Sequence, residues 1–154
     1  MTHRVILIVE DDVNDVLLLH RAFQKANIVA PLQTVSHGDE AIAYLAGEGV
    51  YADRERYPPP ILVLLDLKLP RRSGLEVLEW IRGQGGLRRL PVVVLTSSRE
   101  TDDINTAYDL GANSYLVKPV GFEKLLEMVR SLEMYWLTLN QKPELPAKPE
   151  LPAA

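Results

Sequence analysis

Cysteine is absent from this 154-residue chain, which removes disulfides, thiolate metal sites and cysteine nucleophiles together. Histidine is scarce: His3, His20 and His37 are the only three. They have no ligand spacing, which argues against a histidine-bound zinc or iron, and His20, after a Leu run on the first helix, is an ordinary exposed imidazole rather than a phosphohistidine donor. An excess of positive charge is lacking too. Seventeen Lys and Arg against 21 Asp and Glu leave a formal net charge of -4, so no basic face for nucleic acid is expected. Long apolar runs are missing: none approaches the roughly 20 residues that span a bilayer. The opening MTHRVILIVEDD ends its short apolar run in acids, not in the small residues of a cleavable leader. The expected location is the cytoplasm, with neither nucleic acid nor membrane as a partner.

What is present is ordinary globular composition, 47% hydrophobic and 25% charged, at a length that suits one domain with its own core. Four short apolar runs stand out, VILIV (5–9), ILVLL (61–65), VVVL (92–95) and SYLV (114–117), with a weaker LQTV at 32–35. The first three are continuous, as in strands covered on both faces of a parallel sheet. Helical patterns separate them. The helix after strand one opens at Asp12, with Asp15 completing a box-like start. The second, 38–47, is opened by Ser36 and stopped by Gly47, and the third, 74–83, ends at Gly83. The fourth, 100–111, closes at Gly111, and the fifth, 121–139, is the longest. Strict alternation of strand and helix predicts an α/β fold: a doubly wound five-stranded parallel sheet with five helices, in the flavodoxin-like order 2-1-3-4-5.

Two stretches break this rhythm. EGVYADRERYPPP (48–60) is long for a connection, and its three prolines block a helix. The end of the chain repeats KPELPA at 142–147 and 148–153. The expected organisation is a domain over 1–139 and a proline-rich tail over 140–154, read as a disordered spacer or a P-x-x-P ligand. On the fifth helix, Phe122, Leu125, Leu126, Val129, Leu132, Trp136 and Leu139 form one core stripe. Met128, Met134, Tyr135 and Leu137 are surplus to it, and either pack under the tail or form a dimer seam.

Ligands of such sheets bind beyond the carboxyl ends of the strands. Those ends carry Glu10 and Asp11, Asp66, Thr96 and Lys118. Clustered carboxylates repel and are costly to desolvate, which suits capture of a hard, oxygen-seeking cation, Mg2+ in particular. A carboxylate is also a nucleophile toward phosphorus. Asp66 can attack, a cation can shield it, and Thr96 and Lys118 can hold the phosphoryl oxygens.

ILIVEDD, VLLDLKLPRRSG, VVVLTSS and SYLVKP, in this order, resemble the receiver domain of two-component response regulators over about residues 4–132. The resemblance implies Asp66 as phosphoacceptor and Mg2+ held by Glu10, Asp11, Asp66 and the backbone carbonyl of Lys68. It implies Thr96 and Lys118 as phosphoryl-binding residues and Tyr115 as the aromatic that changes rotamer with Thr96. It also implies a cis peptide before Pro119 and a turn glycine at Gly74. The insert before strand three and LEMYWLTLNQKPELP further resemble the small regulators paired with phytochrome histidine kinases. The implied partners are a sensor histidine kinase, bacteriophytochrome included, and a second copy of the chain through helix 4, strand 5 and helix 5. The chain would be a phosphoacceptor rather than an enzyme, signalling by protein contact. Two rivals are a receiver-like module that is never phosphorylated and a Mg2+-dependent phosphatase. The latter would want a general acid where Lys68 stands.

Overall fold

The computed structural model describes residues 5–147; His3 and the second KPELPA copy lie outside them. Five strands, β1 (Ile6–Val9), β2 (Leu32–Val35), β3 (Leu62–Leu65), β4 (Val92–Thr96) and β5 (Ser114–Val117), pair in parallel in the order β2-β1-β3-β4-β5. The helices between and after them are α1 (Val13–Lys25), α2 (Gly38–Ala46), α3 (Gly74–Gly83), α4 (Thr101–Asp109) and α5 (Phe122–Leu132). The expected sheet order and alternation are both met.

Each central strand is buried on both sides because its side chains alternate between two cores. Leu7, Val9, Val63, Leu65, Val92 and Val94 face α2, α3 and α4. Ile6, Ile8, Leu62, Leu64, Val93 and Leu95 face α1 and α5. With no solvent face, a polar alternation would place unpaired groups in the core, hence the continuous apolar runs.

Local chemistry sets the ends, with two corrections. Asp12 caps α1 by accepting from the amides of Asn14 and Asp15, but Asp15 does not complete a box; its carboxylate goes to Lys118 instead. The cap of α2 is His37, whose Nδ1 accepts from the Glu40 amide, while Ser36 donates its amide to the Glu40 carboxylate. A reciprocal capping box between Ser73 and Glu76 opens α3.

The largest departure is at the end of the fifth helix. After Leu132 the chain turns π-helical over Glu133–Leu139, and Asn140 donates to the Tyr135 carbonyl five residues back. Wider turns advance the buried position by five residues, so Leu137 follows Leu132 into the core while Leu139, assigned to the stripe, is exposed. Met128 packs partly against the core.

The 48–60 insert forms a short 3₁₀ turn, Gly49–Ala52, and an aromatic cluster in which Tyr51 stacks near Tyr44 and Tyr57. The Tyr44 hydroxyl donates to the Pro58 carbonyl. Arg54 ties the segment down by donating to the carbonyls of Tyr44, Leu45, Tyr51 and Tyr57. Its Nε also reaches the Ala147 carbonyl at 2.8 Å. The first KPELPA copy is thereby laid on the body: Leu145 packs against the α2–α3 core, and Pro146 sits beside Gly86.

Candidate functional site

Four of the expected residues are fixed by hydrogen bonds that continue the sheet past its strands. Glu10 donates its amide to Val35 at 3.0 Å, Asp66 to Val9 at 3.1 Å, and Lys118 to Thr96 at 2.8 Å. Each side chain therefore leaves the same edge of the sheet, where the strand order reverses between β1 and β3. Behind Asp66 the chain folds tightly under the site: the Gly74 amide donates to Leu67, and a Cβ on Gly74 would lie 2.1 Å from the Asp66 carbonyl oxygen. That close approach is why glycine stands there.

Glu10 and Asp66 are 3% and 5% exposed, while Asp11 is open to solvent. Oxygens of Glu10, Asp11 and Asp66 lie within 4.8 Å of one another. Such a set, oxygen-only and partly open, fits a hard divalent cation that keeps several waters. The Lys118 ammonium stands among them, 2.5 Å from Glu10, 2.8 Å from Asp15 and 3.0 Å from Asp66. Burial raises the Glu10 carboxyl to about 7, aided by the Asp66 charge and opposed by Lys118. Burial also works against ionised Asp66, but there the Lys118 ammonium prevails and holds the carboxyl below its usual range. Burial likewise disfavours charge on Lys118, and its carboxylate partners outweigh it. The two buried acids thus differ: Lys118 holds Asp66 ionised, while burial makes Glu10 the weaker acid.

Thr96 is fully buried and its Oγ1 makes no close hydrogen bond, an unusual state for a buried hydroxyl, though it stands near enough to Asp66 to help hold that carboxyl low. Tyr115, half-buried on β5, donates its hydroxyl to the Ser98 carbonyl at 3.0 Å, and Ser98 in turn donates to Asp103 on α4. Tyr115 is thus tied to the loop that follows Thr96. Lys68 lines the cleft, and its amide donates to Asp66. The expected cis peptide before Pro119 is not found: there is none among the described residues, in keeping with the trans preference of about 0.5–1 kcal/mol that X–Pro bonds retain. Sequence reasoning missed Asp15 and Ser98. Asp15 lies 103 positions from Lys118, and only the packing of α1 against α5, which follows Lys118, brings them together.

Comparison with known proteins agrees with this geometry. The response regulator receiver domain family matches residues 6–130. Response regulator Rcp1 of Synechocystis sp. is 40% identical over 134 residues, 87% of this chain and 89% of that one. The crystal structure of the phosphorylated cyanobacterial phytochrome response regulator RcpA is 39% identical with a TM-score of 0.85, over 93% of this chain and all of that one. The Mn2+-bound form of Rcp1 gives 39% and 0.82, over 92% and 99%. The family consists of phosphoacceptors that take their phosphoryl group from histidine kinases, and this chain, homologous to phytochrome response regulators, belongs to the response regulator receiver family.

Proposed function

We propose that Asp66 accepts a phosphoryl group from the phosphohistidine of a sensor kinase, with Mg2+ in the Glu10–Asp11–Asp66 cluster, and that the modified chain signals by binding proteins. The observation that carries this reading is the buried Asp66 carboxylate, held ionised by Lys118 at 3.0 Å beside two further acids. An Asp66 oxygen attacks phosphorus as the P–N bond breaks, the bond pair leaving on the imidazole nitrogen, which takes up a proton. Glu10, Asp11, Asp66 and the Lys68 carbonyl would hold the cation, which when bound would offset the repulsion between carboxylate and phosphoryl oxygens. Lys118 and the unpartnered Thr96 hydroxyl then donate to those oxygens. As Thr96 moves inward, the loop it shares with Ser98 moves, and Tyr115 turns with it, changing the α4–β5–α5 face. The family likeness supplies the kinase class, and likeness to proteins described as phytochrome response regulators favours a phytochrome kinase. Lys68 stands where a phosphatase of the aspartyl type would need a general acid, which disfavours that reading. The exposed apolar residues after α5 support a homodimer through the α4–β5–α5 face.

Intact mass measurement after treatment with acetyl phosphate and Mg2+ tests the chemistry. Wild type should gain one alkali-labile phosphoryl group, and Asp66→Asn should gain none. An acid-stable phosphate that survives Asp66→Asn would falsify the assignment.

A further inference from the structure

Asp15 belongs to none of the roles assigned above, yet its Oδ2 accepts from Lys118 Nζ at 2.8 Å, closer than Asp66 at 3.0 Å. An ammonium has three donors, and here each meets a different carboxylate: Glu10, Asp15 and Asp66. Two of those carboxylates belong to the cation cluster. A cation there engages Glu10 and Asp66, and a phosphoryl group on Asp66 replaces an acceptor oxygen with its own. Asp15 is the one partner that neither event occupies.

Its placement is firm. Asp15 lies in the first turn of α1, where its amide donates to the capping Asp12 carboxylate at 3.1 Å. From that turn its side chain forms part of the wall between the acidic cleft and an apolar hollow lined by Leu18, Leu95, Phe122 and Leu125. The Lys118 ammonium is therefore drawn toward α1 as well as toward Asp66. A phosphoryl group adds about -1.5 to -2 charge and needs that ammonium. An anion on its other side, 2.8 Å from Lys118 Nζ, competes for the same ammonium.

We propose that Asp15 is a positioning residue that acts through Lys118, withholding part of its ammonium from the phosphoryl group and so limiting the occupancy of the phosphorylated state. This rests on Asp66 as the acceptor. Asp15 is the variable setting in an otherwise fixed constellation: an uncharged residue at this point strengthens phosphoryl retention without altering any ligand of the cation.

The test uses the full chain and beryllofluoride with Mg2+ as phosphoryl mimic, its affinity read by fluorine NMR. Wild type, Asp15→Asn, Lys118→Ala and the double variant are compared. Asp15→Asn should bind roughly fivefold more tightly, a modest factor because the Asp15 carboxylate is partly solvated; Asp15→Ala should do the same. On the Lys118→Ala background the Asp15→Asn change should have no effect. Unchanged or weaker binding by Asp15→Asn overturns the proposal, and so does equal tightening without Lys118. If wild type itself does not bind the mimic, or binds it as well after Asp66→Asn, the reading of the acceptor site fails and this inference falls with it.

Discussion

Thr96 places a hydroxyl at full burial without a close hydrogen bond, a stability loss that a later partner would offset. Thr96→Val keeps the shape and removes the polar atom, so unmodified protein should be as stable as wild type or more stable by about 1 kcal/mol. Urea unfolding measures this. The same variant should lose the Tyr115 ring shifts that beryllofluoride and Mg2+ induce in wild type; if the shifts persist, Thr96 does not couple the site to Tyr115. Gly38, like Gly74, is a residue whose identity the packing dictates. A Cβ there would lie 2.0 Å from the Arg72 carbonyl oxygen, where α2 meets the loop that leaves the acceptor strand. Gly38→Ala should therefore destabilise by roughly 2–3 kcal/mol and shift the amide resonances of Lys68 to Ser73, read by denaturation and by NMR. Glu10, Asp11, Asp66, Thr96 and Lys118 were legible in the sequence because strand ends sharing one edge converge without further information. Gly38 and Asp15 were not, since each acts on a residue from another element that only tertiary packing brings near.

Strands were legible as elements because burial on both faces leaves an unmistakable apolar run, and LQTV, with one exposed and two half-buried residues, was read more weakly for the same reason. Helix α5 was legible only as far as Leu132. A stripe drawn at 3.6 residues per turn cannot anticipate a π-helical stretch, although the five-residue step from Leu132 to Leu137 is its signature. The insert had no periodicity to read at all, because a single arginine organises it. Arg54 serves carbonyls from the end of α2, from the insert and from Ala147. Arg54→Ala should cost about 2–3 kcal/mol by leaving several of them unpaired, and should speed hydrogen exchange in 44–57 ahead of the sheet. If exchange there is unaltered, the guanidinium does not hold the insert. Alkali should attack the same cluster. Burial pushes Tyr44 and Tyr51 up to about 12, Glu40 adding to the shift at Tyr51. Tyrosines raised above their unfolded value of about 10 support the fold fully below that pH and lose their contribution as pH rises from 10 through 12. Tyrosinate absorbance and stability should therefore change together across that window, while Tyr44→Phe should remove part of the dependence.

At the scale of the whole molecule, the π-helical stretch decides which surface is left for a partner. By turning Leu137 into the α1–α5 core it directs Met134, Tyr135 and Leu139 outward, at 53%, 55% and 63% exposure within six positions. Large apolar residues exposed together in this way at a helix end favour an interface, and a two-fold axis lets one such patch cover its own copy. Tyr135 is already braced edge-to-face against Trp136 at 4.8 Å, so it presents an ordered ring that loses little side-chain freedom on burial. The first KPELPA copy starts with Lys142 donating to the Leu137 carbonyl and then runs toward α3 and Arg54, and among the described residues Met134, Tyr135 and Leu139 stay exposed beside it. The reading of the surplus apolar residues as packed under the tail thus loses ground to the dimer seam. Sedimentation equilibrium at micromolar concentration should find a dimer, and Met134→Glu with Tyr135→Glu should give a monomer whose melting temperature is within a few degrees of the wild type's. Both residues lie outside the core, so dissociation without unfolding is the diagnostic result. A wild-type monomer at every concentration, with or without beryllofluoride, would reject the seam; so would a dimer indifferent to the two glutamates.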